Sequence, residues 1–149
     1  MAGVDEVVVA IDPGREKCGL AVVTLDGQVL NQSVVPVQEL AGRLSEIRHP
    51  VAAFVVGHRT ASGDVRSTLR ALGVPDEAVK VVNEDRSSEL GRQRYWRAKP
   101  PRGWRRWLPT SLQVPPEPYD DFVAVELAER FLSAYRSGTG EGSAKRVEK

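Results

Sequence analysis

The chain has 149 residues, of which 41% are hydrophobic and 28% charged, and its formal net charge is +1. This length and composition are typical of a single globular domain with a hydrophobic core. Cys18 is the only cysteine, which excludes an internal disulfide and favours a reducing compartment. No apolar run is long enough to span a bilayer and the N-terminus lacks a signal-peptide pattern, so we expect a cytoplasmic protein with no membrane partner.

The first part of the chain is predicted to form a three-stranded antiparallel meander. Val7–Ile11 is a short β-branched run, which is typical of a strand covered on both faces. Leu20–Leu25 and Gln28–Val35 are the next two predicted strands. The dipeptide Asp26-Gly27 between them predicts a type I′ turn, because both central positions of that turn require positive φ.

The pattern then changes to alternating helices and strands. Apolar residues that recur at intervals of three and four indicate helices, and short apolar runs indicate buried strands. The predicted elements are a helix with the stripe Val37, Leu40, Leu44 and Ile47, a strand Val51–Val56, a helix capped by Asp64 that ends before Gly73, a strand Val79–Val82, a helix Ser87–Arg97 and a last helix Asp121–Tyr135.

The order β-β-β-α-β-α-β-α predicts an α/β fold with one mixed five-stranded sheet and helices on both faces. The first three strands pair antiparallel through hairpins, and the last two are parallel because helical crossovers precede them. We predict a single domain over residues 1–136. Residues 137–149 are rich in Gly, Ser and charged residues, which indicates a disordered tail.

Three carboxylates occur at the ends of predicted elements. Asp12 ends the first strand, Glu84 follows the fifth, and Asp121, with Asp120 beside it, begins the last helix. Parallel strands end at the same edge of a sheet, and a helix N-terminus can reach that edge. Carboxylates that converge there repel one another, and a hard divalent cation offsets the repulsion. Two cations about 3.5–4 Å apart would give the two-metal arrangement that cleaves phosphodiester bonds.

Each carboxylate also has a purely structural interpretation. Asp12 could cap the turn that follows it, and Glu84 could be a solvated surface residue. Asp120 and Asp121 could cap the last helix and interact favourably with its dipole. The combination of the three positions and their order along the chain favours the metal site.

Four stretches resemble the YqgF/RuvX group of RuvC-like nucleases, within the ribonuclease H-like superfamily. In chain order they are IDPGREKCGLAVV, VVGHRTASGD, VVNEDRSS and YDDFVAVELAERFL. The resemblance implies a ribonuclease H-like fold, Mg²⁺ or Mn²⁺ as cofactor, and catalytic, metal-binding carboxylates at Asp12, Glu84 and Asp121. Asp120 is a further candidate ligand, but adjacent helical residues point about 100° apart, so we prefer Asp121.

Two positions depart from the patterns of these relatives. Asn83 stands where the YqgF group has an aspartate, and Pro118 stands where RuvC resolvases have a further carboxylate. The stretch IDPG is closer to the RuvC resolvases than to most YqgF sequences. These departures affect the prediction of the substrate more than the prediction of the fold.

The resemblance implies a metal-dependent nuclease that acts on structured nucleic acid. We expect an RNA substrate, as in trimming of the 5′ end of the 16S ribosomal RNA precursor, and the alternative is resolution of Holliday junctions or other branched DNA. A junction resolvase would favour a homodimer, whereas RNA trimming is compatible with a monomer. Two rivals are an ATPase related to actin and sugar kinases, which would need a second such domain, and a non-catalytic nucleic-acid-binding module.

A basic segment from Arg92 to Thr110 contains all three tryptophans and no acidic residue. Cationic side chains bind phosphates, and aromatic rings stack on unpaired bases. Alternatively, the tryptophans pack on the core and the arginine stems cover them. We expect Trp96 to be a core residue. The candidate nucleic-acid-binding residues are Arg92, Arg94, Arg97, Lys99, Arg102, Trp104, Arg105 and Arg106.

Overall fold

The computed structural model of the chain describes residues 6–58, 62–82, 87–101, 103, 107–110, 115 and 118–137. Five residues of the predicted site and interface lie outside these ranges, as does most of the predicted tail. The five are Glu84, Arg102, Trp104, Arg105 and Arg106.

Five strands form one mixed sheet in the described part of the chain: β1 Val7–Asp12, β2 Lys17–Thr24, β3 Val29–Pro36, β4 Val51–Gly57 and β5 Val79–Val82. Their order across the sheet is β3-β2-β1-β4-β5. β2 pairs antiparallel with β1 and with β3, whereas β4 pairs parallel with β1 and with β5. The predicted meander and the two parallel strands are therefore confirmed.

The described residues form four α-helices, α1 Leu40–Ser45, α2 Ser62–Ala71, α3 Ser87–Ala98 and α4 Asp120–Ser137. α4 packs on one face through buried residues such as Leu127 and Leu132. α1 and α2 pack on the other face through Leu40, Leu44 and Leu69. α3 packs on α4. The prediction of helices on both faces is confirmed, and no described helix is long and apolar enough to cross a membrane.

β1 lies at the centre of the sheet, and all six of its residues are buried. Successive side chains of a strand point to opposite faces. Val7, Val9 and Ile11 accordingly belong to the cluster with α1 and α2, whereas Val8 and Ala10 belong to the cluster with α4. The same alternation directs Asp12, the last residue of β1, to the α4 face.

The hairpin between β2 and β3 differs from the predicted type I′ turn. The amide of Gly27 donates to the carbonyl of Thr24 at 2.9 Å, so the central residues are Leu25 and Asp26. Gly27 follows them with φ of +98°. A turn followed by one glycine in the left-handed region is the usual form of a longer hairpin loop. The loop adds a residue, and the β2–β3 register shifts between Val22 and Val23.

Two helix boundaries also differ from the predictions. The first predicted helix begins as a 3₁₀ turn over Val37–Glu39 and continues as the short helix α1. Asp64 lies in the first turn of α2 and does not precede it, because α2 begins at Ser62. Leu72 follows α2 and is 42% exposed. Gly73, with φ of +91°, has the left-handed conformation expected just past a helix end.

Candidate active site and nucleic-acid interface

Asp12 is a buried carboxylate at the carboxyl end of the central strand. Only 4% of the residue is exposed, and Asp12 and Thr24 are the buried polar residues in the described ranges. Burial of a carboxylate is unfavourable unless other groups compensate its charge. A carboxylate that is held by the central strand under a covering helix is therefore the first feature of the fold that requires a functional explanation.

The N-terminus of α4 lies directly against the strand residue opposite Asp12. Gly19 of β2 is the ladder partner of Asp12. A Cβ atom at Gly19 would lie 1.9 Å from the carbonyl oxygen of Asp120 and 3.0 Å from the amide nitrogen of Asp121. Only glycine permits this approach. The absence of a side chain at Gly19 thus brings the two aspartates of α4 to the same edge of the sheet as Asp12.

The two aspartates of α4 have different surroundings. The Nε2 atom of Gln32 donates a hydrogen bond to Oδ2 of Asp121 at 3.0 Å. Gln32 lies on β3, and β2 separates β3 from β1. The Asp121 carboxylate therefore contacts the edge strand. Nothing in the sequence marks Gln32, because a glutamine on an edge strand is ordinary.

Asp120 and Asp12, by contrast, act on the same neighbour. The charges of Asp12 and Asp120 both raise the pKa of the Cys18 thiol, and Asp121 is not among the causes of that shift. Cys18 directly precedes Gly19 in β2, so both carboxylates lie within electrostatic range of this short stretch. The Asp12 and Asp120 carboxylates therefore both lie near the start of β2.

Cys18 is fully buried, and burial is the largest cause of its raised pKa. The two carboxylates raise the pKa further, whereas a backbone hydrogen bond from Gly14 lowers it. The thiol therefore stays protonated in the folded protein at pH values where an exposed cysteine ionises. Since the thiolate is the reactive form, Cys18 has the character of a structural residue.

We expect Cys18 to react with a disulfide reagent such as DTNB much more slowly in the folded protein at pH 8 than in urea. A folded-state pKa above the unfolded value means that the native state binds more protons. The free energy of unfolding should therefore fall as pH rises above about 8.5, the ordinary cysteine pKa. The Cys18→Ala variant should lack this component of the pH dependence. Equal labelling rates with and without urea would contradict the burial argument.

The donor set at this edge suits a hard divalent cation. Carboxylate oxygens are the ligands that Mg²⁺ and Mn²⁺ prefer in proteins. Asp12 and the aspartates of α4 provide such oxygens from two elements. Within the described ranges no group of three His, Cys, Asp or Glu residues could hold a metal ion. The third predicted ligand, Glu84, lies outside those ranges, and its place in the site stays a prediction.

The described part of the basic segment divides into buried and exposed residues. Trp96 is 8% exposed, which confirms the prediction that it belongs to the core. Trp107 is 78% exposed. Arg97 and Lys99 are exposed and Arg92 is partly exposed. These three cations remain candidates for nucleic-acid contacts.

Arg94 forms ion pairs that the sequence did not predict. Its Nε atom lies 2.6 Å from Oε2 of Glu126, and its Nη2 atom lies 2.6 Å from Oε1 of Glu129. The ion pairs join α3 to α4. The two helices approach closely, since a Cβ on Gly91 would lie 2.6 Å from Cγ2 of Val123. Both glutamates contact its guanidinium, so Arg94 links the two helices, and its contact with nucleic acid stays a prediction. The sequence could not show these ion pairs, since the glutamates are 32 and 35 positions away.

We expect Arg94→Met to destabilise the protein by about 1–3 kcal/mol, between the values typical of exposed and of buried ion pairs. Urea unfolding monitored by circular dichroism measures this change. Arg70→Met is the matched control, because the Arg70–Asp76 pair is exposed and should contribute less than about 1 kcal/mol. Loss of nucleic-acid affinity in Arg94→Met without loss of stability would assign Arg94 to the binding surface.

Comparison with solved structures identifies proteins of the same architecture. A structure described as Thermus thermophilus RuvC in complex with a Holliday junction substrate is 22% identical, with a TM-score of 0.55 over 89% of this chain and 97% of that chain. A structure of T. thermophilus RuvC alone is 21% identical, with a TM-score of 0.53 and the same coverage. No protein-family model matches the sequence, and a search of curated proteins finds no match. The chain therefore has a ribonuclease H-like fold, shared with RuvC.

Proposed function

We propose that this protein is a divalent-metal-dependent nuclease that cleaves phosphodiester bonds in structured nucleic acid. One observation carries the proposal: the buried Asp12 ends the central strand, and Gly19 beside it admits the start of α4 with its two aspartates. A ribonuclease H-like fold shared with a nuclease supports the same reading. The sequence resemblance to RuvC-like nucleases adds independent support from the motifs.

In this proposal Asp12 and Asp120 hold the metal, and Glu84 and Asp121 complete the set. A divalent ion held by these residues would supply activation of the attacking water and stabilisation of the leaving oxygen of the phosphodiester. The protein's own contribution is a fixed arrangement of charge. The central strand fixes the position of Asp12, the contact at Gly19 fixes the start of α4, and Gln32 orients Asp121 by a hydrogen bond. Arg97 and Lys99 lie on exposed surface and would bind the nucleic-acid backbone.

Branched DNA is the substrate class that the structural similarity favours. One of the two RuvC structures holds a Holliday junction, and it matches this chain over nearly its whole length. RNA is the second candidate, because the motifs in the sequence also resemble the YqgF group and imply trimming of 16S ribosomal RNA precursor. A junction resolvase would act as a homodimer, since a four-way junction is symmetric. A cytoplasmic location is compatible with either substrate.

The rival functions make different demands on the chain. An ATPase of the actin and sugar-kinase type would need a second domain to enclose the nucleotide. A non-catalytic binding module would not need Asp12, whose buried charge is unfavourable and would repel phosphate. Neither rival explains the buried carboxylate as directly as a metal site does.

The test is a cleavage assay on matched substrates. Fluorescently labelled four-way DNA junctions, linear duplexes and single-stranded RNA are incubated with Mg²⁺, Mn²⁺ or EDTA, beside an ATPase control. We expect metal-dependent cleavage of the junction that EDTA abolishes. Cleavage of RNA alone would assign the protein to RNA processing. ATP hydrolysis without nuclease activity, or binding without cleavage under every metal condition, would contradict the proposal.

A further inference from the structure

A cavity of about 290 Å³ lies beside Asp121 on the side of α4 that faces β3. Val34, Pro36 and Phe122 form its apolar walls. Two lysines from distant parts of the chain, Lys17 and Lys99, also line it. Nothing in the sequence marks Lys17. Asp121 lines the cavity and belongs to the proposed metal site, but neither lysine does. A concave surface with cationic groups and apolar walls at the edge of a carboxylate site therefore needs its own explanation.

Lys17 brings a positive charge to the cavity. It is the first residue of β2 and is exposed, unlike the seven residues of β2 that follow it. Lys17 makes no ion pair with any residue that the structure describes. Its ammonium group is therefore available to an anion that enters the cavity.

Lys99 is held beside the cavity by aromatic contacts. Its Nζ atom lies 5.6 Å from the ring centroid of Tyr95, and its amide donates to the carbonyl of Tyr95 at 2.8 Å. Tyr95 is buried, and its ring meets the ring of Phe122 edge to face at 5.7 Å. Phe122 in turn forms a wall of the cavity. A cation that is positioned in advance loses less entropy when it binds an anion.

The charges in the cavity favour an anion despite the nearby carboxylate. Among the described residues that line the cavity there are two ammonium groups and one carboxylate, and that carboxylate already accepts a hydrogen bond from Gln32. We propose that Lys17 and Lys99 bind a backbone phosphate of the nucleic-acid substrate in this cavity, next to the phosphate that is cleaved. Val34, Pro36 and Phe122 then contact the adjoining sugar. The assignment rests on the proposed nuclease function. It implies that the backbone of the substrate runs along the β3 side of the metal site.

Binding measured without cleavage tests the assignment. Lys17→Ala, Lys99→Ala and the double variant are titrated with a labelled four-way DNA junction and with single-stranded RNA in EDTA at several salt concentrations. Each lost phosphate contact should reduce the slope of log affinity against log salt by about 0.9 for duplex DNA and about 0.7 for a single strand. Because both lysines bind the same phosphate, the double variant should show this full reduction and each single variant a part of it. Lys17→Arg should retain the wild-type slope, because arginine keeps the charge.

Arg48→Ala is the matched control, since Arg48 is exposed and lies just before β4, at the opposite end of the strand from the candidate site. Its slope should equal that of the wild type. Inorganic phosphate, added at constant ionic strength, tests whether the cavity also binds the free ion. If phosphate weakens nucleic-acid binding by the wild type but not by the double variant, the cavity binds the free ion through the two lysines.

The outcomes separate this inference from the nuclease proposal. Unchanged slopes in the double variant, or an equal loss in Arg48→Ala, overturn the phosphate site even if the wild-type protein cleaves DNA. If the lysine variants show reduced slopes but the wild-type protein never cleaves nucleic acid, the phosphate site is supported and the nuclease proposal is overturned. A wild-type protein that binds no nucleic acid overturns both.

Discussion

The Asp12→Asn variant should lose metal-dependent cleavage almost completely while its fold stays intact. Replacement of residues that merely support a metal ligand typically costs about 10–100-fold, so loss of a direct ligand should cost more. Asparagine has nearly the shape of aspartate but no charge, and Asp12 is held by the central strand of the sheet. Single-turnover cleavage of the preferred substrate in saturating Mg²⁺ measures the effect. Wild-type activity in purified Asp12→Asn protein would exclude the proposed site.

Stability distinguishes the metal site from a simple turn cap. Without metal, the carboxylates that converge at this edge repel one another, so Asp12→Asn should leave the melting temperature of the metal-free protein unchanged or raise it. If Asp12 only caps the following turn, its loss should instead cost about 0.5–2 kcal/mol. Added Mg²⁺ should raise the melting temperature of the wild type and have little effect on the variant.

The matched variants Asp120→Asn and Asp121→Asn test which aspartate of α4 acts with Asp12. The geometry leads us to expect the larger loss of cleavage from Asp120→Asn, because Asp121 is hydrogen-bonded to Gln32 of the edge strand. If Asp121→Asn is inactive and Asp120→Asn is active, the sequence-based preference for Asp121 is restored, and the Gln32 contact must break when metal binds.

The Gly19→Ala variant should show the second large effect. The new Cβ would lie 1.9 Å from the carbonyl oxygen of Asp120, so α4 must move away from β2. Strain of this kind typically costs about 1–3 kcal/mol. A displacement of about 1 Å at a reacting centre can lower the rate by about 100-fold. We therefore expect both a lower melting temperature and a cleavage rate reduced by about 100-fold. Urea unfolding and the single-turnover assay measure the two changes.

Gly42→Ala is the control for the general effect of an added methyl group. Gly42 lies in α1, and a Cβ there would meet no atom within 4 Å. Alanine stabilises a helix relative to glycine by up to about 1 kcal/mol. This variant should therefore be at least as stable as the wild type and fully active. If Gly19→Ala behaves in the same way, the start of α4 does not depend on contact with β2.

The sequence by itself determined the strands and their order along the chain. Val7–Ile11 and Val79–Val82 were recognisable because buried strands need continuous β-branched runs, and these patterns are local. Gly73 likewise marked the end of a helix, since its left-handed conformation is a local requirement. The alternation of helices and strands then restricted the sheet to antiparallel pairing first and parallel pairing later.

Only the tertiary structure decided how the site and its surface are assembled. Asp121 and Gln32 are 89 positions apart, and Arg94 is 32 positions from Glu126. Tyr135 of α4 is 42% exposed, whereas Leu132, about one turn earlier, is fully buried. In each case the sequence presents a suitable side chain, but its partner depends on which surfaces pack together. The contact at Gly19 fixes that packing for the start of α4, and it brings Asp120 and Asp121 to the edge of the sheet where β1 ends.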